Sequence, residues 1–188
     1  MKPLVTAYID ADIILYRAAS FCEDEFDGEI MYDAEQGEWF FDKVLEKWLS
    51  EVETRYRLED YFLTFTRSRN FRKDLYPDYK ANRKDLHVWP GLRTLKENLL
   101  DRVGVIYEDG IEADDLIGIR CTENPERTLA VSADKDFQTV PCKLMIPTSH
   151  SRLTPTWVET SEDEANLYWL RQVLIGDVTD NYKGIVGM

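Results

Sequence analysis

The sequence predicts an α/β protein: a mostly parallel sheet flanked by helices on both faces. Three observations carry this. Short apolar runs alternate with amphipathic helical patterns along the chain, the arrangement of a layered α/β fold. Carboxylates gather where those runs stop, at Asp10 and Asp12, at Glu112, Asp114 and Asp115, at Asp134 and Asp136, and at Asp177 and Asp180. In an open α/β sheet the carboxyl ends of the strands converge on one crevice, so these acids are brought together by the fold itself. Finally, 188 residues with 44% hydrophobic and 12% aromatic content suffice for one compact domain with a core.

Taken in order, residues 4–9 form a short apolar strand, central in the sheet, that ends on Asp10 and Asp12. Residues 13–19 read as a helix carrying Tyr16 and Arg17. Residues 21–39 are acidic and turn-rich (Asp27-Gly28, Gln36-Gly37), which predicts a surface hairpin or excursion. Phe41, Val44, Leu45, Trp48, Leu49, Val52 and Tyr56 keep helical spacing, and their aromatics read as core. Residues 61–65 are the second strand. Leu92, Leu95, Leu99 and Leu100 mark a helix, and residues 103–107 a third strand that delivers the Glu112 cluster. Residues 128–132 deliver Asp134 and Asp136. Residues 143–146 are the fifth strand, with Arg152-Leu153-Thr154 pairing nearby. Leu167, Leu170, Val173 and Leu174 predict a last helix that docks firmly and ends at Gly176.

Several function classes fall away. No long uncharged apolar run suggests a membrane span, and Met1-Lys2-Pro3-Leu4 leads into a strand instead of a signal peptide. The three cysteines form no CxxC pair, which fits a reduced cytoplasmic setting. Two distant histidines argue against a histidine-rich zinc site or a Ser-His-Asp triad. The formal net charge of −13 is unusual for a nucleic-acid protein, but Arg67, Arg69, Arg72, Lys73, Lys80, Arg83 and Lys84 crowd one segment. That segment reads either as a solvated charged loop or as a phosphate-binding arm in which Tyr76 or Tyr79 stacks on bases.

Carboxylates meeting in one crevice repel unless divalent cations neutralise them, and oxygen-only sites suit magnesium or manganese. Two chemistries compete. Asp10-Ala11-Asp12 after a strand fits the nucleophile and acid of a haloacid-dehalogenase-type phosphatase, with Gly176-Asp177-Val178-Thr179-Asp180 as a later acidic motif one residue short. Two metal ions poised for in-line attack on a phosphodiester need more ligands, and this chain offers the nine acids named above.

Four motifs occur in a telling order: Tyr76-Pro77-Asp78-Tyr79-Lys80-Ala81-Asn82-Arg83-Lys84, Glu112-Ala113-Asp114-Asp115, Ser132-Ala133-Asp134-Lys135-Asp136-Phe137, and Gly176-Asp177-Val178-Thr179-Asp180-Asn181-Tyr182-Lys183-Gly184-Ile185-Val186-Gly187. The chain thereby resembles the bacteriophage 5′-to-3′ exonuclease and flap endonuclease family, above all the small exonucleases of podovirus-type phages. The resemblance implies a PIN-like catalytic domain over residues 1–175, with a helical arch at about 67–90 above a two-metal site. Residues 176–188 would begin a helix-hairpin-helix module that is incomplete here. By position, Asp10, Glu112, Asp114 and Asp115 match a first metal group, and Asp134, Asp136, Asp177 and Asp180 a second, for two magnesium or manganese ions. Lys80 matches the arch lysine at the scissile phosphate and Arg83 the arginine one turn on, both catalytic. Arg17 resembles a phosphate-binding arginine. Arg69, Arg72, Tyr79 and Lys84 are the arm's nucleic-acid contacts, and Gly184 and Gly187 those of the hairpin, where a potassium ion is often bound. Asp12 is extra to the pattern; metal-water ligand and helix cap both stay open.

Two departures stand out. Relatives commonly carry an Asp where this chain has Arg67, and the hairpin lacks its second helix, so residues 182–188 are expected to be mobile unless a second chain completes the module. The expected function is metal-dependent hydrolysis of DNA from 5′ ends, flaps and nicked duplex in phage replication or recombination, with RNA primers as a further substrate class. A metal-binding but inactive nucleic-acid clamp is the main rival, and a PIN-type ribonuclease a further one.

Overall fold

The computed structural model describes residues 2–26, 29–67, 70–83, 88–149 and 151–185. Its main sheet has six strands in the order β5-β4-β1-β6-β7-β8, with β1 at Leu4–Asp10, β4 at Arg57–Thr64, β5 at Val105–Ile106, β6 at Thr128–Val131, β7 at Lys143–Ile146 and β8 at Thr156–Glu159. β1 lies between β4 and β6, parallel to both. Among the described strands of this sheet, β8 alone runs antiparallel to the rest.

Strand periodicity sorts the side chains onto two faces. Val5, Ala7 and Ile9 of β1 join Leu129, Val131 and Met145 in the larger core, against the helices α1 (Ala11–Phe21), α2 (Ala34–Arg55) and α4 (Leu92–Leu100). Tyr8, Ala130 and Leu144 point to the other face, against Ile117 and Cys121 of α5 (Ala113–Glu123). Helices thus cover both faces, and the β1 and β6 carboxyl ends open beside the first turns of α1 and α5.

Four local differences from the sequence reading have physical causes. The predicted excursion is a hairpin of β2 (Glu23–Phe26) and β3 (Glu29–Tyr32), but Gln36-Gly37 is no turn. α2 begins at Ala34, because the Asp33 side chain accepts from the Gln36 amide at 3.0 Å and caps it. Gly37 is there for close approach: a Cβ would lie 2.9 Å from the Tyr32 hydroxyl. The strand expected near Arg152 is instead β8, a Thr-Trp-Val run suited to a sheet edge, while Arg152 makes one bridge to Ser149.

α6 (Glu162–Ile175) forms as expected, with a Ser161–Glu164 capping box. Its stripe is not core, however: of its residues only Ala165 is buried, and Leu167, Leu170 and Leu174 are half exposed or more. A polar contact ties the helix down, Gln172 Nε2 donating to Asp136 Oδ1 at 2.6 Å.

The segment after α6 is held, not loose, up to Ile185. Asp177 and Tyr182 exchange two backbone bonds of 2.7 and 2.8 Å, and the Ile185 amide donates to Val173 O. Gly176 and Gly184, both at positive φ, touch backbone to backbone. Residues 186–188 lie outside the described residues.

Candidate functional site

Asp10 closes β1 and is 6% exposed. Its Oδ2 accepts from Ser132 Oγ at 2.8 Å, and that hydroxyl accepts from the Asp134 amide at 3.0 Å. The ends of β1 and β6 are thereby tied, which brings Asp134 beside Asp10. Burial, then the neighbouring Asp12, pushes the Asp10 carboxyl up to about 7.

α5 presents the second set. Glu112 and Asp115 form a reciprocal capping box, with Asp115 and Asp114 in the first turn. Oxygens of Glu112, Asp114 and Asp115 lie within 4.8 Å of one another. Burial, then Glu112 and Asp115, pushes Asp114 up to about 7 as well. Partly buried carboxyls at this density, with oxygen as the only donor, fit hard divalent cations. The residues that would hold one are Asp10, Glu112, Asp114 and Asp134, which share a crevice of about 550 Å³ with Asp12.

Asp12 is neither a cap of its own helix nor free. Its Oδ2 accepts from the Thr66 amide at 2.9 Å, and its Oδ1 faces Lys96 Nζ at 3.7 Å. Thr66 Oγ1 in turn accepts from the Ala113 amide at 2.9 Å, which ties the end of β4 to the start of α5. The next residue, Arg67, leaves the site: it is exposed and lies 4.6 Å over the Tyr107 ring.

The second acidic group does not share that crevice as a whole. Asp134 does, capping the 3-10 turn Lys135–Thr139 by accepting from the Asp136 amide. Asp136, Asp177 and Asp180 line an adjoining groove of about 310 Å³ with Arg72 and Tyr79. Burial, then Asp134, raises the Asp136 carboxyl. Burial also acts upward on Asp177, but Lys135 Nζ at 2.7 Å and the Thr179 amide outweigh it and hold the carboxyl low. Asp180 is raised by burial against the opposing pull of Lys80 and Arg83.

The arm meets both groups. No helical arch stands among its described residues: α3 (Arg72–Leu75) is a single turn, followed by the 3-10 turn Ala81–Arg83. Lys80 Nζ donates to Glu112 Oε1 at 2.7 Å, and Arg83 Nη2 to Asp180 Oδ1 at 3.2 Å. Lys73, Lys80, Arg83 and Lys96 therefore give the crevice cations next to its acids.

The expected nucleic-acid contacts fare unevenly. Arg72 grips Asp115 with Nη1 and Nη2, at 2.5 and 2.6 Å. Tyr79 is 8% exposed, with its hydroxyl 2.6 Å from Glu112 Oε2, so its ring is no open stacking face. Arg17 is absent from the crevice lining and lies over Trp48 at 5.8 Å. Gly184 is packed on Gly176. Arg69, Lys84 and Gly187 lie outside the described residues. Sequence reasoning missed Ser132, Thr66, Lys96, Lys135 and Gln172. Ser132 and Lys135 carried a signal, since both stand in the motif that runs from Ser132 to Phe137.

Residues 7–162 match the family described as 5′-3′ exonuclease, N-terminal resolvase-like domain. Over 157 residues the chain is 35% identical to the exonuclease of Escherichia phage T7, covering 77% of this chain and 50% of that protein. The exodeoxyribonuclease of Enterobacteria phage T3 matches with the same identity and coverage. The chain thus spans about half the length of these curated relatives. In three dimensions it resembles the bacteriophage T5 D15 flap endonuclease solved with DNA and metal ions: TM-score 0.66, 15% identity, 97% of this chain and 70% of that one. It also resembles the Rad2 catalytic core in complex with DNA substrate: TM-score 0.55, 14% identity, 99% and 58% covered. The likeness in shape establishes a PIN-like fold, and the sequence match over most of its length places the chain in the 5′-3′ exonuclease N-terminal, resolvase-like domain family.

Proposed function

We propose that this chain is the catalytic part of a divalent-metal-dependent 5′-to-3′ exonuclease or flap endonuclease acting on DNA. One observation carries the reading. A single crevice joins Asp10, Glu112, Asp114 and Asp134 to Lys80 and Arg83, so it can take hard cations and a phosphodiester side by side. Family membership supports it, as do the DNA and metal ions bound to the T5 enzyme and the DNA substrate bound to Rad2.

Magnesium or manganese ions, when bound, supply Lewis-acid polarisation of the phosphodiester and an activated water. The chain's residues do the rest. Asp10, Glu112, Asp114 and Asp134 would hold such cations, with Asp115, Asp136, Asp177 and Asp180 as the surrounding and second group. Lys80 and Arg83, released from their acids, neutralise charge growing on the phosphate. Ser132 and Thr66 fix the carboxyl ends of β1 and β4.

Within this reading the substrates are 5′ ends, flaps and nicked duplex, with RNA primers as a further class, in the host cytoplasm. A potassium ion at the hairpin of residues 184–187 and a second polypeptide completing the module rest on the motif resemblance alone. Family membership leaves no support for the haloacid-dehalogenase-type reading of Asp10-Ala11-Asp12. The inactive-clamp reading is favoured by one observation, that Lys80 and Arg83 occupy Glu112 and Asp180.

The test is incubation with 5′-labelled flap, nicked duplex, single-stranded DNA and RNA, in magnesium or EDTA. Short products from 5′ ends and flaps in magnesium alone are expected. Tight binding with no product at any magnesium concentration would establish the clamp.

A further inference from the structure

Among the described residues, two that are not glycine have a left-handed backbone, Lys80 (φ 54°) and Asn181 (φ 59°). They meet. The Lys80 amide donates to the carbonyl of Asp180 at 3.1 Å, next to Asn181. Asparagine tolerates this conformation because its side chain bonds nearby backbone; lysine has no such help. The Lys80 conformation is therefore held by its surroundings, as strained backbone at working sites is.

What surrounds it is a pair of reciprocal amide bridges. Asn82, on the arm, sends its Nδ2 to the carbonyl of Val178 at 2.8 Å. Asn181, on the acidic turn, sends its own Nδ2 back to the carbonyl of Asp78 at 2.9 Å. Tyr76 adds its hydroxyl to the Asn181 carbonyl at 3.2 Å. Each bridge joins segments about a hundred residues apart in sequence, and the two flank Lys80 and Arg83 on one side and Asp177 and Asp180 on the other.

We propose that Asn82 and Asn181 are positioning residues that join the arm to the acidic turn, so that Lys80 and Arg83 keep a fixed relation to Asp177 and Asp180. The inference rests on the nuclease reading. Neither amide lines the crevice, so each acts through the groups it places. Charge attraction alone would not do this: Arg83 and Asp180 are joined by one bond at 3.2 Å that competing cations can break. The neutral bridges persist when ions enter, keeping the freed cations in register.

The test uses Asn82→Ala, Asn181→Gly and the double variant in the whole chain. Glycine adopts the positive φ freely, so Asn181→Gly removes the amide without adding backbone strain. Each single variant should lower kcat at least about tenfold while KM changes less than about threefold, and the double variant should match either single within about twofold, because both bridges cross one junction. Asn82→Gln should recover part of the rate. In hydrogen exchange, either substitution should expose the amides of Lys80 and of Asp177 together. Additive losses in the double variant, wild-type kcat in either single, or exchange that rises only on the substituted side would overturn the proposal. If the wild-type chain cleaves nothing, the nuclease reading fails, and the exchange experiment still decides whether the arm and the turn are joined.

Discussion

Lys80 Nζ stands 2.7 Å from Glu112 Oε1, so the arm's principal cation occupies an oxygen that a divalent ion would need. The cation and the ion compete for Glu112, while the phosphate needs the cation free. Replacing Lys80 by alanine therefore has two separable effects. The cleavage rate should fall about 10²-fold or more, as for loss of a charge aimed at the transition state, with KM changing less than about threefold. The magnesium concentration for half-maximal rate should fall, since Glu112 is released. Steady-state kinetics across a magnesium titration checks both; a change in affinity alone would refute the assignment.

The acids themselves divide into two kinds. Asp10, buried, and Asp114, partly buried, sit among other carboxylates and are raised to about 7, whereas Asp177 is held low by Lys135 and Thr179. All three asparagine variants should lose cleavage. In EDTA, Asp10→Asn and Asp114→Asn should melt higher than wild type, by roughly 2–4 °C for each kcal/mol of repulsion relieved. Asp177→Asn should melt lower. Magnesium should raise the wild-type melting temperature and do so less in Asp10→Asn and Asp114→Asn. Thermal unfolding with and without magnesium reads all of this.

The same two carboxyls set the pH dependence of the metal-free protein. Their folded values of about 7 lie above the unfolded value of about 3.9. Between those values the folded chain binds more protons than the unfolded one, so stability falls as pH rises from about 4 to about 7. Asp177 acts with the opposite sign: its stabilisation is present above the unfolded value and is lost only as pH falls below about 4. Melting curves in EDTA should therefore decline from pH 5, about one unit above the lower edge of that window, to pH 7 at its upper edge. Saturating magnesium should flatten the decline, because it favours the ionised carboxylates. A metal-free stability that climbs across that range would contradict the crowded placement of Asp10 and Asp114 among other carboxylates.

The sheet was legible because strand runs and carboxylates coincide. Val5, Ala7 and Ile9 alternate with the partly exposed Thr6 and Tyr8, and Asp10 follows where the strand must end. That Asp10, Glu112 and Asp114 meet in one crevice was legible for the same reason, whereas Asp115 of the same motif is taken by Arg72. What stayed hidden was chosen by tertiary contact. Arg67 comes shortly after the end of β4, yet it turns out over Tyr107, and the work beyond that strand end falls to Thr66, a residue with no motif value. Tyr79 carries the chemistry of a stacking residue, but burial and the Glu112 bond use it otherwise. The stripe on α6 has core spacing and stays half exposed, since periodicity reports a face without saying what covers it. The split of the second acidic group between two hollows depends on how the turn after α6 folds back, and two glycines decide that.

Gly176 and Gly184 are those residues. Their φ values are +84° and +67°, and a Cβ on Gly176 would lie 2.4 Å from the Tyr182 carbonyl oxygen, one on Gly184 2.3 Å from the Gly176 nitrogen. Neither contact can relax by moving a side chain, because both partners are backbone. Alanine at either position must therefore open the turn that carries Asp177 and Asp180. The cost should be about 2 kcal/mol or more, from the sum of positive-φ strain and the clash. Because the turn is local and the main core lies elsewhere, the variants should still fold, with a melting temperature lower by several degrees. Cleavage should fall more steeply than stability, since Asp180 would lose its relation to Arg83 and Lys80. As a control, Gly110→Ala also forces a positive φ of 91° but meets no atom within 4 Å. It should share the loss from strain and leave the second acidic group in place. Equal losses of activity in Gly110→Ala and Gly176→Ala would show that backbone strain, and not the close contact of the two glycines, sets the turn.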